Sequence, residues 1–182
     1  MERDRTEDAR RLTAEAEPLP LTATLPVVEG RLYVGFARVA TMPNGRIGMS
    51  HLMRSKFDKM GEEELKELVV ESLDNLMSGL NFKGFRDDEL GTLVSVERDG
   101  PGAFGVILLN DFHEKAAAQV GADRLVVGLV SPDHVYFAAA GSGQAEQIRE
   151  AVLGSPDTSS ELVPCLLHLD AEGIEIIAER SR

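Results

Sequence analysis

Leu32, Val34 and Phe36 alternate with Tyr33, Gly35 and Ala37, the two-residue period of a strand. Met42-Pro43-Asn44-Gly45 supplies turn chemistry, and a return strand is expected around Arg46 to Met49. The period then changes. Leu65, Leu68, Val69, Leu73, Leu76, Met77 and Leu80 fall on one stripe at helical spacing, which predicts a helix over Glu62 to Met77. Glu62, Glu63 and Glu64 suit the positive end of its dipole, and Gly79 is a natural stop. A shorter helical segment is expected over Ser50 to Met60, ended by Gly61.

Two further units repeat that order of elements. Leu93 to Val96 and Phe104 to Leu108 read as strands around Asp99-Gly100-Pro101-Gly102, followed by a helix capped at Asn110 and closed by Gly121. Leu125 to Val130 and Val135 to Ala140 flank the turn Ser131-Pro132-Asp133-His134. Ser142 opens a helix closed by Gly154. The last hairpin spans Leu162 to Leu169 and Ile174 to Ala178. The expected class is α+β: a hairpin followed by three helix–hairpin modules, mainly antiparallel, with helices covering a face of the sheet. The expected organisation is a charged arm over residues 1–20, with a short helix capped by Thr6, and a single domain over 21–182.

Composition narrows the function. The 182 residues carry 31 acidic and 19 basic side chains, a net charge of −12, which argues against nucleic acid and anionic membranes as partners. No stretch approaches the ~18 apolar residues of a membrane span, and the charged first 20 residues are unlike a secretory leader. A cytoplasmic location is expected. The single cysteine, Cys165, excludes an internal disulfide and any all-cysteine metal cluster.

The search for chemistry yields little. His51, His113, His134 and His168 fall in different elements, without metal-binding spacing, so no metal and no cofactor are expected. Cys165 and His168 lie three apart on one strand and should face opposite ways, which works against a nucleophile–base pair. Gly141-Ser142-Gly143 between strand and helix lacks the lysine and third glycine of phosphate-binding loops. Asp87, Asp88 and Glu89 read as a solvated loop. One feature runs against the overall charge: Arg46, Arg54, Lys56 and Lys59, opposed by Asp58, give +3 around His51. Arg46, His51, Arg54 and Lys56 are therefore the candidate ligand-binding residues, for an anion or an acidic partner. The competing account is a solvated face beside Leu52, Met53, Phe57 and Met60, which supply packing.

Gly61 to Leu76 (GEEELKELVVESLDNL) and Phe104 to Ala138 resemble the DUF1444 (YtpQ-like) family of uncharacterised bacterial proteins. The shared pattern is an acidic helix, an apolar strand, a short helix and a strand–turn–strand. The resemblance covers about half the chain and implies no activity and no functional residue. The favoured expectation is a non-catalytic protein-binding module of adaptor, chaperone or inhibitor type, acting through a protein partner or as a homo-oligomer. Such a module should expose an apolar patch or a sheet edge. The alternative is a small-ligand binder or enzyme with a site assembled near Arg46 to Lys59, which calls for a cleft lined by titratable groups.

Overall fold

The computed structural model describes residues 21–99, 102–156 and 162–180. The expected arm with its Thr6-capped helix, the Gly100-Pro101 turn and most of the 155–160 loop lie outside them. The contacts group the chain into two compact units, Met1–Glu67 and Leu68–Arg182.

The first unit is built from two hairpins. Strands β1 (Thr24–Val28) and β2 (Leu32–Gly35) pair antiparallel, with a bulge between Pro26 and Val28. Pro26 is thus inside a strand, tolerated because among the described residues β1 has a neighbour on one side alone. Strands β3 (Ala37–Thr41) and β4 (Ile47–His51) form the second hairpin. Its turn is the expected one: Gly45 takes φ +77°, and the Asn44 side chain accepts from the Arg46 amide at 3.1 Å. The helix expected over Ser50 to Met60 shrinks to one turn, α1 (Arg54–Phe57). Backbone bonds explain why. Leu52 donates to Phe36, and Ala23 to Leu52, so residues 50–53 are drawn into strand-like pairing before a helix can start. Ala23 and Leu32 are the buried apolar residues of this unit's described part, and Phe36 stacks on Phe57 with centroids 6.0 Å apart.

Helix α2 (Glu62–Met77) has the predicted bounds. The second unit holds a six-stranded antiparallel sheet. In chain order its elements are β5 (Leu80–Asp87), β6 (Gly91–Arg98), a 3-10 segment (Ala103–Leu108), α3 (Phe112–Val120), β7 (Leu125–Ser131), β8 (His134–Ala139), α4 (Gly143–Leu153), β9 (Cys165–Asp170) and β10 (Gly173–Glu179). The strands lie in the order β10-β9-β7-β8-β6-β5. The class is α+β as expected, and three helix–hairpin modules make up this unit.

Two hairpins differ from expectation. Leu32–Gly35 pairs with Thr24–Val28, so the strand returning from the Asn44-Gly45 turn pairs with Ala37–Thr41 instead. The strand at Leu93 to Val96 pairs with β5, not with Phe104 to Leu108. The latter is a buried 3-10 turn, with Ala103, Gly105, Val106 and Ile107 inside. A continuous apolar run has no period to tell strand from helix. Here Gly105 lets the Leu76 side chain come close: a Cβ would stand 3.1 Å from its Cδ2. Helix α3 starts one residue later than expected, and Asp111 at its cap turns its carboxylate to Lys115.

Helices cover both faces of the sheet. On β8, successive residues point to opposite faces. Ala138 packs with Val126, Leu166 and the α4 residues Ile148 and Val152, whereas Phe137 meets Phe112 of α3 edge-on at 5.5 Å. The topology accounts for this. The crossovers β6–α3–β7 and β8–α4–β9 both step two places toward β10, but their strands run in opposite directions. One shared handedness of crossover then requires opposite faces. Leu125, Val127 and Leu129 are consequently as inaccessible as Val126 on the other side.

A basic, methionine-rich segment

The candidate residues belong to the first unit. Arg46 follows the β3–β4 turn, His51 ends β4, and Arg54 and Lys56 lie in α1. Five residues of strand separate Arg46 from the end of β4, about 16 Å at 3.3 Å per residue. The fold therefore groups His51, Arg54 and Lys56 near the junction of β4 and α1 and sets Arg46 at the far end of the hairpin. Arg46, His51 and Lys56 are exposed. Arg54 Nε lies 3.9 Å from Asp58 Oδ1, a solvent-exposed pair of small worth.

What surrounds these residues is apolar and uncovered. In the β3–β4 register Val39 stands opposite Met49, with Ala37 opposite His51 on the same face. Val39 is 45% exposed and Met49 44%. Met42 is half exposed, its sulfur resting over Gly48 on the opposite face, which it shares with Arg38. Met53, expected as packing, is 47% exposed instead. The backbone bond from Arg54 to Leu21 and the isolated Thr22–Met53 bridge fix the backbone at this point. The signal for this surface was in the chain: four of six methionines fall between Met42 and Met60.

Positive charge is concentrated in one segment of the first unit. Residues 21–61 contain six basic side chains (Arg31, Arg38, Arg46, Arg54, Lys56, Lys59) against Glu29 and Asp58, a net +4. Residues 68–182 contain 8 basic and 19 acidic side chains, a net −11. The basic excess is thus local to the hairpins and α1, and acids at both ends of the first unit bring Met1–Glu67 as a whole to −1.

The other motifs are occupied by structural work. Cys165 stands opposite Leu129 and His168 opposite Val126, on opposite faces. At the start of α4 the Ser142 amide donates to Ala139 and its hydroxyl accepts from the Ala145 amide at 3.2 Å, while the Gln144 amide donates to Leu90, so these amides are engaged within the protein. Asp87 closes β5 rather than lying in a loop. Its Oδ1 accepts from the Leu90 and Glu89 amides at 2.8 and 2.9 Å, and these bonds hold its carboxyl below the usual carboxylate range. Lys83, donating to Glu97 at 2.7 Å, lowers that acid likewise. A groove of about 500 Å³ lies along α3, lined by His113, Glu114, Asp123 and alanines. The His113 ring is engaged there at 2.7 Å with the Asp123 carbonyl. Among the described residues no His, Cys, Asp and Glu side chains gather in a metal-binding group, and no helix is long and apolar enough to cross a membrane. No family model, no curated protein and no solved structure matches this chain.

Proposed function

We propose that the protein is a non-catalytic, cytoplasmic protein-binding module that engages an acidic partner protein through its N-terminal unit. The observation that carries this reading is the coincidence of exposed apolar side chains with local positive charge: Val39, Met42, Met49 and Met53 stand out of a segment, residues 21–61, with net +4. Exposed apolar groups ringed by charge mark interaction surfaces on soluble proteins. Methionine suits such a surface because its unbranched, polarisable chain adapts to different contours. Arg46, His51, Arg54 and Lys56 supply steering and orientation, and the apolar groups supply the area removed from water. The DUF1444-like pattern consists of packing and turn positions, so it adds no site residue.

Affinity capture with tagged full-length protein, compared with Met42→Glu/Met49→Glu, tests this. Both positions are exposed, so the variant should keep its circular dichroism and melting temperature while losing a stoichiometric partner. Retention of the partner by that variant, or no stoichiometric partner at all, overturns the proposal.

A further inference from the structure

The two edges of the six-stranded sheet are built differently. β10 carries a bulge between Ile176 and Ala178 and presents Glu175 and Glu179, devices that spoil pairing with another strand. β5 runs eight residues against β6 without a break in register. Among the described residues no strand pairs with its outer side. Phe82 and Phe85 are 43% and 55% exposed on it, and a Cβ at Gly84 between them would meet nothing within 4 Å.

We infer that this edge pairs with β5 of a second copy, antiparallel about a two-fold axis at Gly84, joining two six-stranded sheets edge to edge. The inference rests on the sheet unit and is independent of the proposed acidic partner. Residues opposed across antiparallel strands share a face, and two-fold symmetry therefore limits the register to pairs of like parity. Centred on Gly84, Phe82 stands opposite the partner's Arg86 and Lys83 opposite the partner's Phe85. Each cation then meets an aromatic ring, two symmetry-related pairs on each face of the sheet. Asn81 stands opposite the partner's Asp87, and no like charges are opposed. The neighbouring registers are poorer. An axis at Lys83 sets two lysines against each other. An axis at Phe85 sets Lys83 opposite the partner's Asp87, whose carboxylate is already bonded to the Glu89 and Leu90 amides, and sets the Phe82 ring opposite the partner's Asp88.

Sedimentation equilibrium on the full chain tests the inference. The expected result is a dimer at micromolar concentration. Phe82→Arg sets a cation opposite the partner's Arg86 and should raise the dissociation constant about tenfold or more. Adding Arg86→Glu turns that repulsion into an ion pair and should restore the dimer. Circular dichroism verifies that both variants are folded. A monomeric wild type, or a dimer indifferent to Phe82→Arg, overturns the interface. Weakening by Phe82→Arg without rescue by Arg86→Glu overturns the register at Gly84.

Discussion

Gly128 shows how much one missing atom decides. It lies mid-strand in β7, where glycine is ordinarily a weakness. A Cβ there would stand 2.3 Å from Ile148 Cγ2 and 3.1 Å from Val152 Cγ2, so its absence is what lets α4 lie against the sheet. Gly128→Ala is expected to cost about 1–3 kcal/mol by overpacking. Combined with Ile148→Ala, which removes the obstructing methyl, it should cost clearly less than the sum of the single changes. Urea denaturation of the three variants measures this. Asp87 makes a different prediction. Its carboxyl is lowered by amide bonds that exist only in the folded chain. Its contribution is complete above the ordinary carboxylate value of about 4 and is lost as pH falls through the lowered folded value. Asp87→Ala should flatten the decline in stability on the acid side, as read from urea midpoints across that range. Neither role is legible in the sequence. A glycine inside an apolar run and an acid within an acidic run look ordinary until the neighbours are placed.

At the scale of elements, local signals performed well where they were periodic or capped. The α2 stripe and its triple-glutamate start define Glu62–Met77, and Ser142 caps α4 as its chemistry requires. Ser142→Ala is expected to cost about 1 kcal/mol, seen as a lowered melting temperature. The β5–β6 hairpin was missed because β5 is an edge strand with Phe82 and Phe85 on opposite faces, so it lacks the alternation of a half-buried strand. Its place was given to Phe104 to Leu108, whose apolar run fits a strand or a buried turn equally. The covering of both faces did leave a trace. Leu125 to Val130 is apolar without interruption except at Gly128, the mark of a strand buried on two sides.

Over the whole molecule the net charge of −12 conceals a basic segment, residues 21–61, within an otherwise acidic chain. An average over the chain speaks to solubility, while a partner meets the local field. Binding to an acidic partner through the first unit is therefore expected to weaken as ionic strength rises, although the protein as a whole is acidic. Isothermal titration of the captured partner at several salt concentrations reads this directly, and a salt-independent affinity removes Arg46, Arg54 and Lys56 from the account. The sequence by itself determined the class and the three long helices, because hydrophobic period and caps act within a few residues of chain, but not which strands pair into hairpins. It also located the basic cluster, since charge can be counted. Only the tertiary structure decided that Arg46 stands at the other end of a hairpin from His51, that β5 is a regular open edge, and that α3 and α4 take opposite faces. Those depend on strand order and crossover hand, which join residues far apart in the chain and leave no local signature.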